Sequence, residues 1–373
     1  MNDLVVEPVH GRRLFRQFLH LPWAIYRGNP YWVPPLLGVQ KQVLSARDNP
    51  FFEHAEMQSW LVVRNGRPCG RIAAIVDRAH NEYHHERTGM FGFFEVADDF
   101  PAAQALLDTA ADWLAGKGMD RIRGPLSPSL NHEAALLVEG FDSSPAMMMS
   151  YNPPYYLDLL ERAGFQKVRD LYAYVFRRDM QIPGKIFRVA ERVRNHSHVV
   201  IRDADMSHFK DEVARLREIY NSAWARNWGF VPVTEKEFMF LADGLRHLAV
   251  PELVLVAEIE GRAVAFMLSL PDVNPIIRRL NGRLFPLGVL RLLWGKRRMK
   301  VFRIITMGVV PEYQHLGIPA VFYAETLRRG RALGYDAAEL SWVLEDNEMM
   351  IRVAEMMAAE RYKTYRLLER PLR

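Results

Sequence analysis

The chain has 373 residues, of which 49% are hydrophobic and 25% are charged. This is the composition of a globular protein, and the length favours two hydrophobic cores over one. The single cysteine, Cys69, excludes an intramolecular disulfide framework and cysteine-rich zinc or redox motifs. The formal net charge of +5 suits an anionic ligand as well as nucleic acid, so charge alone selects no partner.

The first residues, Met1–Pro8, lack the basic start and apolar core of a secretory signal. No apolar run approaches the roughly 20 residues of a membrane-spanning helix. We therefore expect a cytoplasmic protein.

The first half of the chain alternates strand and helix patterns. Trp60–Val63 and Gly70–Val76 flank Asn65-Gly66, a strong turn signal, and so predict a β-hairpin. The further predicted elements are a strand over Met90–Val96, a helix from Pro101 to Gly116, a short strand at Ile122, a helix over Tyr155–Ala163 and a strand over Val168–Phe176.

The second half repeats this order after a basic, polar segment, 183–198, which we interpret as a connector. The predicted strands are Val199–Ile201, Leu253–Ile259, Arg262–Leu270, Val301–Val310, Ala338–Val343 and Tyr362–Leu368. The predicted helices are Phe209–Trp224, a helix from Pro319 to Gly334, and Asn347–Ala359. The pattern predicts two similar mixed α/β units in series.

The segment from Val301 to Ala324 is the most informative part of the sequence. Its apolar strand breaks at Pro311 into Glu312-Tyr313-Gln314-His315-Leu316-Gly317-Ile318-Pro319, and a helix follows. Unpaired backbone N–H groups converge where a strand turns sharply into a helix N-terminus. Such a turn favours an anion, and a phosphate-bearing ligand in particular.

The stretch Val309–Ile318 resembles the pyrophosphate-loop motif of GCN5-related N-acyltransferases, Q/R-x-x-G-x-G/A. Gln314 and Gly317 match the motif, whereas Pro319 stands where that family usually has Gly or Ala. The repeated order of elements also resembles a tandem acyl-CoA N-acyltransferase fold over most of the chain. The resemblance implies an α/β fold class (α+β, mixed sheet) with two tandem units, each a mixed, mostly antiparallel sheet flanked by helices.

The two halves differ at the position of this loop. In the first half Asp98 and Asp99 follow the Met90–Val96 strand, and two carboxylates repel a pyrophosphate. We therefore predict an N-terminal unit over 1–182 without a pyrophosphate loop, a connector over 183–198, and a C-terminal unit over 199–373 with the coenzyme A loop.

The resemblance implies a set of cofactor-binding residues in the second unit. The central strand would polarise the thioester carbonyl through a backbone N–H, the turn would bind the phosphates, and an asparagine would bind the cofactor arm. Pro319 supplies no N–H, which allows either a weakened site or a well-started helix. The residues so predicted are Met307, Gly308, Val309, Gln314, His315, Leu316, Gly317, Ile318, Ala320 and Asn347.

Two of these residues also have an ordinary structural explanation. A glycine inside a strand marks a bulge or close ligand approach, but Gly308 is explained equally well by packing. Asn347, like Asp346, has the composition of a helix N-cap.

Acyl transfer by direct attack needs no protein nucleophile, but it needs a base for the amine proton and an acid for the thiolate. Glu345 and Glu339 are the candidate bases, provided that burial raises their pKa. The family usually places a tyrosine acid on the helix after the asparagine, and Met349–Ala359 contains none. Tyr323 is the substitute that we name, while Tyr362 and Tyr365 are also near in sequence.

The insertion from Pro271 to Lys300 carries apolar residues beside clustered cations. Such a segment can lie on an anionic membrane or cover a fatty-acyl chain, or it can pack against its own protein. We predict possible peripheral membrane contact through 284–300 and, on that interpretation, a lipid-like substrate.

Together these signals predict an enzyme that transfers an acyl group from acetyl-CoA or a longer acyl-CoA to an amine. We predict no nucleic-acid partner and no metal site, although His80 and His84 have a spacing that can bind zinc on a helix. The alternatives are an aminoacyl-tRNA-dependent transferase of the tandem type and a non-catalytic ligand-binding protein. The sequence does not identify the amine or the oligomeric state.

Overall fold

The structure is a computed structural model that describes residues 4–180 and 183–372. By its internal contacts the chain forms two compact units. The first comprises residues up to Leu171, Ile277–Pro286 and residues from Lys363 onward, and the second comprises Tyr172–Ile276 and Leu287–Tyr362. The sequence-based division at 183–198 stays a prediction, because compactness of contacts alone does not define a domain.

The described secondary-structure elements are as follows, in chain order. The first part contains β1 (Leu4–Pro8), α1 (Gly11–His20), α2 (Pro22–Ile25), α3 (Leu37–Val43), β2 (Ala55–Arg64), β3 (Arg67–Asp77), α4 (Arg78–His84), β4 (Thr88–Val96), α5 (Phe100–Gly116), β5 (Arg121–Gly124), β6 (Leu126–Ser127), β7 (Glu133–Ala134), β8 (Leu136–Glu139), α6 (Tyr156–Arg162) and β9 (Gln166–Arg177). The second part contains α7 (Gly184–Ser197), β10 (Val200–Asp203), α8 (Phe209–Trp224), α9 (Glu235–Arg246), β11 (Val254–Ile259), β12 (Arg262–Pro271), α10 (Asn274–Leu280), α11 (Gly288–Gly295), β13 (Val301–Val309), α12 (Ile318–Ala332), β14 (Ala337–Leu344), α13 (Glu348–Met356) and β15 (Glu360–Pro371). Short 3₁₀ helices span Pro50–Glu53, Pro251–Leu253, Lys296–Arg298 and Pro311–Leu316.

The first unit contains a mixed, mostly antiparallel sheet. Strands β1, β2, β3 and β4 pair antiparallel in this order, β4 and β5 pair parallel, and β5 pairs antiparallel with β15. The predicted hairpin turn is present, with φ values of 51° at Asn65 and 74° at Gly66. Positive φ at both positions is the conformation that matches the twist of a two-residue hairpin. Helix α5 covers the sheet with its buried apolar face.

The second unit repeats this arrangement. Strands β10, β11, β12 and β13 pair antiparallel in this order, and β13 pairs parallel with β14. Helix α12 lies in the core of the unit, where Val321, Phe322 and Tyr323 are buried. The predicted fold class, two mixed α/β units each with a mostly antiparallel sheet, is confirmed.

The segment interpreted as a connector, 183–198, contains helix α7. Its buried side chains, Ile186, Ala190 and Val193, recur at helical spacing and pack in the core of the second unit. Ion pairs also join α7 to α12, because Glu325 binds Arg194 as well as Arg328 and Arg329. Although burial opposes ionisation of Glu325, the hydrogen bonds from these arginines lower its pKa to about 2. The sequence pattern did not predict this helix, because the basic segment contains few apolar residues.

The insertion before the central strand also contains helices, α10 and α11, followed by the 3₁₀ helix Lys296–Arg298. In the described ranges no helix is both long enough and apolar enough to cross a bilayer.

Helix α12 approaches β13 closely at a glycine. A Cβ on Gly330 would lie 2.7 Å from Cε1 of the buried Phe302. Gly244, in helix α9, has nothing within 4 Å of the same position. The two glycines therefore differ in the space available for a side chain, whereas the entropic cost of placing glycine in a helix is the same for both.

We expect Gly330→Ala to lower the free energy of unfolding by about 1–3 kcal/mol, because the added methyl overpacks against the Phe302 ring. Gly244→Ala is the matched control and should raise it by about 0.5–1 kcal/mol through helix propensity. Urea unfolding followed by circular dichroism measures both. Equal stabilisation by the two substitutions would show that α12 does not pack on β13 as described.

Candidate functional site

A sharp strand-to-helix turn lies at the end of β13. The 3₁₀ helix Pro311–Leu316 follows the strand, and Gly317 then adopts φ = 77° before α12 begins at Ile318. This left-handed conformation favours glycine, since other residues adopt it at a cost. The side chains of Gln314 and His315 are exposed at this turn, while a Cβ on Gly317 would lie 3.3 Å from Cγ2 of Val193. Pro319 supplies no N–H, and the N–H of Ala320 donates to the backbone oxygen of Gly317 at 3.0 Å. The N–H of Ile318 is therefore the donor that the start of α12 offers to an anion.

Strands β13 and β14 separate in front of this turn. They pair only from Val301 with Ala337 to Ile304 with Leu340, although β13 continues to Val309 and β14 to Leu344. The separation coincides with a β-bulge, because Leu268 pairs with Thr306 while the next residue, Ser269, pairs with Ile304. Ile305 is the extra residue. A bulge bends its strand and increases its twist, which directs β13 away from β14.

The predicted thioester-polarising residues Met307, Gly308 and Val309 all lie beyond this bulge. A Cβ on Gly308 would lie 3.1 Å from Cβ of Ala223 and 3.4 Å from Nε1 of Trp224. Helix α8 therefore fills the space above Gly308, which is the packing explanation for this glycine. The backbone N–H groups of the three residues remain candidates for the thioester carbonyl.

Thr306, which follows the bulge, is not among the site residues predicted from the sequence. Its Oγ1 is buried and has no hydrogen-bond partner among residues 4–180 and 183–372. A buried hydroxyl without a partner costs free energy, so this atom is a candidate to bind a polar group of a ligand. Only the three-dimensional position of the bulge identifies it.

Gln314 has a structural contact in addition to its predicted role. Its Nε2 donates to the backbone oxygen of Val309 at 3.2 Å, so the side chain folds back on the end of β13. Leu316, Gly317, Ile318 and Ala320 lie at the turn and in the first turn of α12, with Pro319 between them. The predicted phosphate-binding residues are therefore contiguous in space.

Glu339 forms the centre of a buried polar cluster at the point where the strands separate. Its Oε2 lies 2.9 Å from the Ser341 hydroxyl, which donates to it, and 3.4 Å from Nε of Arg303. Tyr362 Oη donates to Oε1 at 3.3 Å. Burial raises the pKa of Glu339 to about 7, although Arg303, Ser341 and Tyr362 favour the ionised form. A buried carboxyl that titrates near neutral pH is suited to proton transfer.

Tyr323 lies on the other face of the sheet. Thr326, also on α12, donates to Sδ of Met267 at 3.1 Å, so Met267 faces α12. Tyr323, Ile304 and Leu340 together line a small apolar cavity of about 20 Å³ on this face. Because neighbouring strand residues point to opposite faces, Arg303 and Glu339 face away from Tyr323. The structure therefore brings Glu339 together with Tyr362 and not with Tyr323.

Tyr323 nevertheless reaches the helix on which the resemblance places a tyrosine. Its Oη lies 3.5 Å from Sδ of Met350 in α13, and burial raises its pKa. The hydroxyl is thus protonated at neutral pH, as an acid must be.

The other two candidates from the strand-to-helix connection have different surroundings. Asn347 is the N-cap of α13, and its Oδ1 accepts the N–H of Met350 at 3.2 Å. Glu345 is partly exposed at the end of β14, outside the buried cluster. The N-cap explanation for Asn347 is observed, whereas a role in binding a cofactor stays a prediction.

A polar cleft of about 570 Å³ adjoins the start of the turn. It lies beside α8 and the β11–β12 hairpin, and residues of both charge signs line it. These include Arg202, Arg215, Arg262, Glu218, Glu258 and Glu312. It is large enough for a polar part of a small-molecule substrate.

The corresponding region of the first unit is filled by the chain itself. Strands β4 and β5 pair over Thr88–Met90 and Arg121–Arg123, but Phe93 N–H then donates to Ser127 Oγ at 2.8 Å. At the start of α5, Asp99 accepts the N–H of Ala102 at 3.2 Å and pairs with Arg64 at 2.7 Å. A carboxylate thus occupies the helix N-terminus.

No protein-family profile matches the sequence. The chain is 38% identical over 364 residues to protein YghO of Escherichia coli (strain K12), covering 96% of this chain and 93% of that protein. It is also 38% identical over 377 residues to a bacterial ceramide synthase of Caulobacter vibrioides (strain NA1000 / CB15N), covering 99% and 98%.

Among solved structures, a tandem GNAT protein from the clavulanic acid biosynthesis pathway superposes with a TM-score of 0.58 at 12% identity, over 100% of this chain and 99% of that one. A GCN5-related N-acetyltransferase from Sphaerobacter thermophilus gives a TM-score of 0.52 at 13% identity, over 99% and 96%. These identities are low, so the two structures support the fold alone.

The raised pKa of Glu339 makes stability depend on pH in a defined direction. The folded state holds this proton up to about pH 7, whereas the pKa of the same carboxyl in an unfolded chain is 4.5. The contribution of Glu339 to the free energy of unfolding therefore falls as pH rises from 4.5 to about 7. We expect Glu339→Gln to gain stability relative to the wild type between about pH 5 and about pH 8, by roughly 1–3 kcal/mol.

Urea unfolding at both pH values measures this difference. Glu348→Gln, which removes an exposed carboxylate of α13, is the control for a general change in charge. A difference between wild type and Glu339→Gln that does not change with pH would contradict the assignment.

Proposed function

We propose that this chain, which has the fold of a two-unit GCN5-related N-acetyltransferase and belongs to the same family as protein YghO and a bacterial ceramide synthase, is an acyl-CoA-dependent N-acyltransferase. The proposed acceptor is the amine of a long-chain amino alcohol. The observation that carries the proposal is the gap between β13 and β14, which opens beside a glycine turn into α12.

The acceptor class is supported by similarity to a named relative. A ceramide is the amide of a fatty acid with a long-chain amino alcohol, and this chain matches the bacterial ceramide synthase over 99% of its length at 38% identity. An amine on an alkyl chain also agrees with the apolar cavity lined by Ile304 and Leu340 at the point where the strands separate. This cavity is small, so a long chain requires side chains there to move.

The residues at the gap fit a coenzyme A thioester. The N–H groups of Gly317 and Ile318 would bind the diphosphate, aided by the helix dipole with about 1 kcal/mol. The buried Thr306 hydroxyl and the unpaired backbone of β13 would bind the amides of the pantetheine arm. Bound there, the thioester supplies an activated acyl group for transfer.

The proposed reaction is a direct displacement. The amine nitrogen attacks the thioester carbonyl carbon, a C–N bond forms and the C–S bond breaks. The amine gives up one proton to a base, and the thiolate takes one proton from an acid or from water. A backbone N–H of Met307, Gly308 or Val309 would stabilise the oxyanion formed in between.

Glu339 is the proposed base. Its pKa of about 7 lets it accept a proton near neutral pH, and Ser341 and Tyr362 hold its two oxygens. Arg303 beside it would stabilise the carboxylate after the substrate has given up its proton. Tyr323 stays the predicted acid, although it lies on the opposite face of the sheet from Glu339.

Coenzyme A at about 100 times its dissociation constant should stabilise the wild-type protein by about 2.7 kcal/mol. Gly317→Glu should abolish this stabilisation, because it strains the turn and places a carboxylate against the diphosphate. The matched control is Gly334→Glu, which has the same charge and a similarly positive φ of 85° at the other end of α12. Thermal unfolding with and without coenzyme A measures both variants.

Loss of the stabilisation in both variants would point to general damage to α12 and would contradict binding at the turn. Stabilisation by tRNA alone would favour the aminoacyl-tRNA-dependent alternative.

Glu339→Gln should lower kcat by about 100-fold to 10,000-fold, because the variant cannot take up the amine proton. In the wild type kcat/KM should rise with pH up to about 7 and then level off, since the base must be ionised. Glu345→Gln is the comparison, and it should keep kcat within about three-fold, because it lies outside the buried cluster. Tyr362→Phe tests whether the Tyr362 hydroxyl supports Glu339 as the base, and Tyr323→Phe tests whether Tyr323 acts as the acid.

The assay follows amide formation by mass spectrometry together with release of the free thiol, using acyl-CoA chains of several lengths. The acceptors are a long-chain 2-amino-1,3-diol and short amines. Turnover of short amines only would contradict the lipid acceptor. Binding of acyl-CoA without turnover of any amine would favour the ligand-binding alternative.

A further inference from the structure

Exposed apolar side chains are concentrated in one short segment of the chain. Twelve large hydrophobic residues are exposed within the described ranges, and four of them lie within ten positions: Phe285, Leu287, Leu290 and Trp294. Single exposed apolar residues scattered over a surface need no explanation, but a concentration of them does. The last three belong to the second unit, in and next to α11.

These three side chains share one face of α11. Leu287, Leu290 and Trp294 are three and four positions apart, which places them on the same side of a helix. Their exposed fractions are 59%, 46% and 75%. We call this set the α11 face. The position of this face is fixed, because the opposite side of the segment packs against the second unit.

Two contacts provide that anchor. A Cβ on Gly295 would lie 2.5 Å from Cδ1 of Ile276, so the helix packs closely on this residue. Lys296 Nζ donates to the backbone oxygens of His247 at 2.7 Å and Ala249 at 3.3 Å. The α11 face is therefore presented outward by a packed element.

The charge of this segment is extreme. Residues 287–300 contain five cations and no carboxylate, a charge of +5 that equals the net charge of the whole chain. The rest of the sequence therefore sums to zero. Arg291, Arg297 and Arg298 are exposed, and their guanidinium groups make no hydrogen bond or ion pair with the other residues that the structure describes. Arg291 lies on the α11 face itself, between Leu287 and Trp294 in the helical pattern.

We propose that the α11 face docks on the surface of an anionic lipid bilayer. Leucine and tryptophan side chains would enter the boundary between headgroups and acyl chains, where tryptophan is favoured. The arginines would contact lipid phosphates, while their apolar stems accompany the inserted residues. This inference depends on the geometry and charge of the segment and does not depend on the proposed reaction.

The charge and the apolar side chains of the α11 face argue against two other partners, a second copy of this chain and nucleic acid. In a symmetric dimer the face would meet its own copy, and clustered arginines without carboxylates would repel each other. Nucleic acid would satisfy the arginines, but phosphate contacts make no use of outward-facing leucine and tryptophan side chains. An anionic bilayer matches both features.

Vesicle sedimentation tests the proposal with the full-length protein. The wild type should sediment with vesicles that contain phosphatidylglycerol and stay in solution with pure phosphatidylcholine. Leu290→Ser with Trp294→Ser should weaken binding at least about ten-fold, since both apolar anchors are removed. Arg291→Gln with Arg297→Gln and Arg298→Gln should weaken it by a similar factor.

Matched control variants remove the same types of side chain elsewhere. Val39→Ser with Val200→Ser changes two exposed apolar residues, and Arg47→Gln with Arg162→Gln and Arg352→Gln changes three exposed arginines. Both controls should bind vesicles within about two-fold of the wild type, because the changed residues lie outside the segment 287–300. The arginine substitutions should leave the protein folded, because exposed ion pairs contribute little to stability. Circular dichroism verifies that every variant is folded.

Fluorescence quenching reports insertion directly. Brominated lipids should quench part of the wild-type tryptophan emission, and Trp294→Phe should remove the quenched part while the other seven of the eight tryptophans continue to emit. Quenching that persists in Trp294→Phe would overturn the assignment of this face.

Three further outcomes would overturn the proposal. The first is equal binding of the wild type and the variant lacking Leu290 and Trp294, which indicates adsorption by charge alone. The second is self-association without vesicles that the same variant abolishes, which indicates a second copy as the occupant. The third is binding to duplex DNA or tRNA that depends on the arginines and is tighter than binding to vesicles.

Discussion

The candidate site depends on the single extra residue in β13. Because Ile305 forms a bulge against β12, the strand keeps its antiparallel pairing on one side while its parallel pairing with β14 ends at Ile304. Beyond that point the backbone groups of β13 that face away from β12 have no β14 partner in the part of the chain described. Buried backbone groups need partners, so the gap favours a ligand with amides of its own.

The first unit shows the same architecture with a different outcome. There the chain after β5 stays beside β4, where the Ser127 hydroxyl binds the N–H of Phe93, and Asp99 caps the helix that follows. The self-filled gap and the carboxylate cap support the hypothesis that this unit binds no nucleotide.

Periodicity and turn chemistry predicted most strands of the two sheets, helices α5, α6, α8, α12 and α13, and the glycine turn, because these features depend on neighbouring residues. Helix α9 was not predicted. The grouping of Glu339 with Arg303 and Tyr362 was not predictable, since it depends on the register of parallel strands and on residues more than 20 positions apart. The helix over 183–198 was also missed, because only three of its side chains are buried. Thr306 had no sequence signal at all.

The division of the chain between its units affects how the protein can be made. The part of β15 from Lys363 onward pairs with β5 and β8 of the first unit, yet the ribosome synthesises it after all residues of the second unit. The sheet of the first unit therefore keeps an unpaired edge strand until the ribosome has synthesised the whole second unit. An unpaired edge of this kind is a target for chaperones and a route to aggregation, so the nascent protein is most vulnerable late in its synthesis.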